Sequence, residues 1–237
     1  MSSENKIPSV IHFIHIFKRD FSLLNYLSVS SARHHHPDWR IIIHTDSEDA
    51  PEGYNRKYWN KIKDKVEIKI DNIPTEFNGQ KIKWPQYTAD LMRLRILKEK
   101  GGIYMDTDVI VLKPLDDLCG HAFTISGEGK RDGFTGNENT LESSGSISNA
   151  CILSCPNHEF INDWLELLPE HWDKGWAHHA VVLPYKMLES GKYTPFSDHN
   201  INLISSNSFN PFHFKSNWLF EDNNIDKLEH SLSLIHI

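Results

Sequence analysis

Apolar positions set the pattern of this chain from its start. Residues 7–17, Ile-Pro-Ser-Val-Ile-His-Phe-Ile-His-Ile-Phe, form a run rich in β-branched and aromatic side chains, the mark of a buried strand. Residues 22–36 switch to helical spacing, and Pro37 stops the helix. A second strand is predicted over 39–45, a polar helix or pair of short helices over 54–65, and a third strand over 66–70. Residues 86–100 form an amphipathic helix closed by Gly101-Gly102, a C-cap signal. Short strands over 103–105 and 109–112 flank an acidic turn, and Pro114 ends the unit. Strand and helix alternate from residue 7 to 112, which predicts an α/β domain with a mostly parallel sheet and helices on both faces. Such sheets bind nucleotides at the carboxyl ends of their strands, where Asp46 and Asp106 both fall.

The second half is less regular. Residues 128–146 are rich in Gly, Ser, Asn and Asp and read as a long loop, a candidate lid over the site. Strands are expected over 123–126, 148–154 and 201–205, and helices over 158–168 and 177–189. Residues 232–237 end inside a strand pattern, so the native chain is expected to continue. One domain over 1–237 is expected, with a nucleotide and metal half at 7–118 and an acceptor-side half at 119–237.

Composition narrows the classes. The 237 residues are 39% hydrophobic and 24% charged, as in a soluble globular protein, and the net charge of −7 argues against nucleic acid as a partner. Cys119, Cys151 and Cys155 supply no disulfide framework and fit a reducing compartment; Cys151 and Cys155 with His158 lack a fourth ligand and zinc spacing, so buried thiols are the plainer account. No apolar stretch approaches the ~20 residues of a membrane span, the first residues lack a signal-peptide core, and no Asn-x-Ser/Thr sequon occurs. Together these predict a cytoplasmic enzyme, peripheral at the inner face of a membrane at most. His34-His35-His36 cannot all face one ion from a helix end and read as a solvated terminus.

The chemistry concentrates between residues 87 and 108. Asp106 and Asp108 stand one residue apart after the apolar Ile103-Tyr104-Met105. Two carboxylates that close repel unless a cation or a proton lies between them. Hard oxygen donors suit Mn2+ or Mg2+, which also hold phosphate oxygens. An Asp-x-Asp alone is weak and also fits a solvated loop. Upstream, Asp90 and Arg93 share a helix face, either as a surface ion pair or as ligands to a polar substrate.

The sequence Asp90-x-x-Arg93, then Gly101-Gly-Ile-Tyr104, then Asp106-x-Asp108 resembles the sugar-nucleotide glycosyltransferases with a DXD motif. It is most similar to the family 32-like group that contains initiating α-mannosyltransferases, α-1,4-galactosyltransferases and bacterial capsule or lipopolysaccharide enzymes. The resemblance covers 7–39 in outline and 86–118 closely, and is patchy beyond. It implies a GT-A fold and a metal-dependent, retaining transfer from a nucleotide sugar, UDP-linked in preference to GDP-linked, to a glycan or lipid-linked saccharide. It also implies roles. Asp108 would bind the metal, and Asp106 the metal, the ribose or the sugar. Asp90, Arg93 and Asn149 would hold the donor sugar. Phe13, Ile14 and His15 would meet the base and ribose, although the usual Gln and Trp of that stretch are missing here. Asp46 and Tyr104 complete the nucleotide side, and His236 would add a late metal contact. Apart from the resemblance, Trp172, Trp176, His178 and His179 read as an aromatic and polar cluster for an acceptor sugar, since apolar sugar faces stack on indoles, with core packing of the tryptophans as the alternative.

Two rivals stand beside this. A haloacid-dehalogenase-like phosphatase also runs an apolar strand into Asp-x-Asp, with the first Asp as nucleophile. A non-catalytic sugar-nucleotide-binding module would keep the fold without the reaction.

Overall fold

The computed structural model describes residues 6–17, 19–50, 52–53, 55–127, 147–172, 174–175, 178–193, 200–209 and 231–235. The central sheet has seven strands. In chain order they are β1 (Val10–Ile14), β2 (Arg40–Thr45), β3 (Glu67–Ile70), β6 (Gly102–Met105), β8 (Phe123–Gly127), β9 (Ile147–Ser154) and β10 (Ile201–Ile204). They lie side by side as β10-β8-β9-β6-β1-β2-β3. The remaining strands form two small ribbons, β4 (Glu76–Phe77) with β5 (Gln80–Lys81), and β7 (Val109–Val111) with β11 (Ser233–Ile235).

The four strands β3, β2, β1 and β6 run parallel, with Ile11 paired to both Ile41 and Ile103. β9 runs antiparallel to both β6 and β8, and β10 returns parallel to β8. The expectation of a mostly parallel sheet therefore holds, with one reversed strand. Because β6, β1, β2 and β3 point the same way, their carboxyl ends share one edge, and Asp106, His15, Asp46 and Asp71 follow directly from it.

Alternation along the strands sends their side chains into two cores. Ile11, Phe13, Ile43, Ile103 and Met105 pack on one face with Val29, Ala32 and Trp59. Ile14, Tyr104 and Ile152 pack on the other with Leu91, Leu94, Phe160 and Trp164. The first core is covered by α1 (Leu23–His35) and α2 (Arg56–Ile62), the second by α3 (Pro85–Lys100) and α4 (Glu159–His171). A short π-helical turn, His178–Val182, leads into α5 (Leu183–Glu189), and α6 (Ser206–Phe209) follows β10.

Local chemistry explains the ends that matter. Ser22 caps α1 in a reciprocal capping box with Asn25. Pro85 opens α3 at its first turn, where a missing N–H is harmless. Gly101 and Gly102 close α3 at φ values of 63° and 99°. A Cβ at Gly101 would stand 2.8 Å from Ser154 O, and one at Gly102 2.7 Å from Val10 O, so only glycine lets β6 start there. The β4–β5 hairpin was not anticipated, although its turn is Asn78-Gly79 with positive φ at both residues, a common signal for two-residue hairpins. The histidine run is not wholly solvated either. His36 is buried, and its Nδ1 bonds Ala32 O at 3.1 Å while its Nε2 accepts the Leu115 N–H at 2.9 Å, tying α1 to the segment after β7.

Candidate active site

The acidic turn is held from both sides. The Asp106 N–H donates to Ala150 O of β9 at 2.8 Å, and the Val109 N–H closes the turn on Asp106 O at 3.1 Å. From α1, the Asn25 amide donates to Thr107 O at 3.0 Å and Ser31 Oγ accepts the Val111 N–H at 2.9 Å. The carboxylates of Asp106 and Asp108 are thus presented by backbone pinned to a strand and to a helix.

Behind the turn lies a buried polar network centred on Arg93, one turn along α3 from Asp90. Arg93 Nη2 is 3.0 Å from Asp90 Oδ1 and 3.2 Å from Asp106 Oδ1. Its Nη1 donates to Asn149 O at 2.5 Å, and its guanidinium lies 4.5 Å from the centre of the Tyr104 ring. The Tyr104 hydroxyl donates to Asp106 Oδ1 at 2.5 Å. Asp90 accepts from the Asn149 side-chain amide at 2.9 Å and from His179 Nε2 at 3.0 Å. The Asp90–Arg93 pair is therefore a junction of α3, β6, β9 and the π-helical turn, and not a surface ion pair.

Charge in this network is far from its solution behaviour. Burial pushes the Asp106 carboxyl up, to about 6, and the charge of Asp108 adds to that push, while Arg93 opposes it. Burial works against the Arg93 cation, but Asp106 and Asp90 more than offset it, so the guanidinium is held more firmly charged than in water. Burial also raises the Tyr104 hydroxyl, which stays a donor.

In front of the turn opens a cleft of about 410 Å³. Asp106, Thr107 and Asp108 form one wall with Arg93 and Tyr104, and Ile14, His15 and Arg19 extend it along the β1–α1 segment. Pro85, Gln86 and Ala89 border it from the first turns of α3. The acidic pair offers hard oxygen donors, and two carboxylates leave most coordination positions of Mn2+ or Mg2+ for phosphate oxygens and water, so the residues fit the metal. Among the described residues no third His, Cys, Asp or Glu joins them, and His236 lies outside the described residues.

The residues expected around a donor divide accordingly. Ile14, His15, Arg93, Tyr104, Asp106 and Asp108 line the cleft, and Asp90 and Asn149 adjoin it through their contacts with Arg93. Phe13 is not among the cleft's lining residues: strand alternation turns its ring into the opposite core, where it is fully buried. Asp46 does not line the cleft; its carboxylate accepts the Phe17 N–H at 2.8 Å and shapes the loop after β1. The proposed acceptor cluster is split. Trp172 is buried against Phe77, Tyr87 and His179, His178 stacks on His171, and Trp176 lies outside the described residues, as does 128–146. Cys119, Cys151 and Cys155 are free and buried, and burial pushes the Cys119 thiol up to about 11. Arg19 and Gln86 at the cleft and the His179–Asp90 contact were not anticipated, because no local motif marks them.

Residues 25–124 match the family model described as a glycosyltransferase sugar-binding region containing DXD motif. Glucan organizing enzyme 1 of Cryptococcus neoformans var. grubii is 30% identical over 190 residues, 76% of this chain and 49% of that protein. Human alpha-1,4-N-acetylglucosaminyltransferase is 30% identical over 108 residues, 44% of this chain and 26% of that protein. The chain thus spans half or less of these relatives. The solved PaToxG glycosyltransferase superposes with a TM-score of 0.53 at 23% identity, covering 77% of this chain and 68% of that one, which assigns the GT-A fold. No described helix is long and apolar enough to cross a membrane. By its fold and by the match over residues 25–124, this chain is similar to the DXD-motif glycosyltransferases.

Proposed function

We propose that the protein transfers a hexose or N-acetylhexosamine from a nucleotide sugar, UDP-linked in preference to GDP-linked, to a hydroxyl of a glycan or lipid-linked saccharide, with retention at the anomeric carbon. The observation that carries this reading is the Asp106–Asp108 turn at the mouth of the cleft, with Asp106 fixed from behind by Tyr104 and Arg93. The human relative's name supports an N-acetylhexosamine donor. Asp106 and Asp108 would hold Mn2+ or Mg2+, whose charge supports departure of the diphosphate. Ile14 and His15 would border the nucleotide end of the cleft, and Asp90, held by Asn149 beside Arg93, would reach the sugar from the edge of the cleft. In the reaction the acceptor oxygen bonds to the anomeric carbon on the face from which the diphosphate leaves. The leaving oxygen takes the bonding electrons, and the acceptor proton passes to the diphosphate. No carboxylate here is assigned as a nucleophile. The acceptor is a growing surface glycan or a lipid-linked sugar, and the enzyme works in the cytoplasm, beside a membrane at most.

Hydrolysis and transfer assayed with UDP-glucose, UDP-galactose, UDP-N-acetylglucosamine and GDP-mannose, with Mn2+ and with chelator, test this. Chelator-sensitive turnover of one UDP-sugar is expected. Release of phosphate from simple phosphate esters, with no turnover of any sugar nucleotide, overturns it.

A further inference from the structure

We infer that His179 is a positioning residue for transfer: it fixes the carboxylate of Asp90 so that one oxygen lone pair is aimed at the donor sugar. The inference rests on the proposed reading of Asp90 as a sugar contact.

The geometry is specific. Asp90 Oδ1 accepts from Asn149 Nδ2 at 2.9 Å and faces Arg93 Nη2 at 3.0 Å. Asp90 Oδ2 accepts from His179 Nε2 at 3.0 Å. A carboxylate offers about four acceptor positions. Among the described residues three are taken, and the remaining one is on Oδ2, the oxygen that His179 holds. The direction in which that last lone pair points is set by where the imidazole stands.

The imidazole itself is fixed from three directions. It is fully buried, its centre lies 4.4 Å from that of Tyr87 and 4.7 Å from that of Trp172, and its own carbonyl accepts the Trp164 indole N–H at 2.8 Å. Because an ionised carboxylate only accepts, the proton shared with Asp90 is on Nε2. Nδ1 is buried with no hydrogen-bond partner among the described residues. A scaffold histidine normally satisfies both nitrogens, as His36 does; His179 satisfies only the one that faces Asp90. It also stands in a π-helical turn, a local irregularity that recurs at functional sites.

The test compares H179Q, which keeps a donor near the Nε2 position, with H179L, which removes it, alone and in a D90N background. Affinity is measured for UDP and for UDP-N-acetylglucosamine in Mn2+, with turnover of the same donor and thermal melting. H179L should lose at least tenfold in kcat and in the affinity gained from the sugar, with UDP binding changed less than twofold. H179Q should recover to within about threefold of wild type, and H179L should add nothing to D90N. If H179L and H179Q melt alike but H179L keeps wild-type kcat and sugar-dependent affinity, or if UDP binding falls with turnover, the positioning role is overturned. If D90N itself leaves turnover and sugar-dependent affinity at wild-type levels, or wild type gains no affinity from the sugar, the reading of Asp90 fails instead.

Discussion

Arg93 Nη2 and Asp106 Oδ1 stand 3.2 Å apart, so the helix α3 reaches directly to the acidic turn through a side chain that is 5% exposed. The same guanidinium neutralises Asp90. Removing it leaves two carboxylates without their cation in a poorly hydrated site. Breaking a buried pair on one side costs about 3–5 kcal/mol. R93M should therefore lower the unfolding free energy measured in urea by that amount and abolish turnover. R93K, which keeps charge but not the fork, should fall between. A wild-type midpoint for R93M would show that the network contributes nothing to the fold.

Asp108 behaves differently, because it stands at the cleft and not behind it. D108N should keep the wild-type melting temperature within 2 °C or so, and lose Mn2+-dependent binding of UDP as read by calorimetry. Unchanged Mn2+-dependent binding in that variant would remove Asp108 from the metal site.

Acid should weaken the fold through a buried histidine chain. His12 Nε2 contacts Gly101 O at 3.1 Å, His12 Nδ1 contacts His44 Nε2 at 3.0 Å, and His44 Nδ1 reaches Asp71. Burial, with the neighbouring His44 adding to it, lowers His12 to about 3, and burial also lowers His44. The folded chain therefore stays neutral at His12 while the unfolded chain takes a proton below pH 6.5. Stability is complete above that pH and falls as pH drops from about 6.5 towards 3, by about 1.4 kcal/mol per unit at most for this one group. Urea midpoints at pH 7.5 and 5 measure the slope, and H12Q should reduce it. A slope unchanged in H12Q would assign the acid sensitivity elsewhere.

Gly102 should tolerate no side chain. Its φ is 99°, and a Cβ would fall 2.5 Å from Val10 Cγ1 and 2.7 Å from Val10 O. G102A should destabilise the chain by about 2–4 kcal/mol, from backbone strain and overpacking together. G120A, with nothing within 4 Å of its Cβ, should stay within about 0.5 kcal/mol. Equal midpoints for the two would refute the packing account of the α3–β6 junction.

The sequence by itself determined the elements and the edge at which they present their chemistry. Runs such as Val10–Ile14 and Arg40–Thr45 are apolar enough to be buried strands whatever surrounds them, and Ser22, Pro85 and the paired glycines mark helix ends by local backbone chemistry. Asp106 and Asp108 stood out as candidates because the pair follows an apolar strand, with Gly101-Gly-Ile-Tyr104 before it and Asp90-x-x-Arg93 upstream. Tertiary structure alone decided the rest. Alternation placed Phe13 in a core and Ile14 at the cleft, a difference that depends on which face α1 covers. The reversal of β9 brought Asn149 to Asp90, and the π-helical turn brought His179 there across 89 positions of chain. Such contacts are made between segments whose local patterns are independent of one another, so no window of sequence contains both partners. Local propensity acts within a few residues, whereas the network around Arg93 exists only once four separate elements have packed.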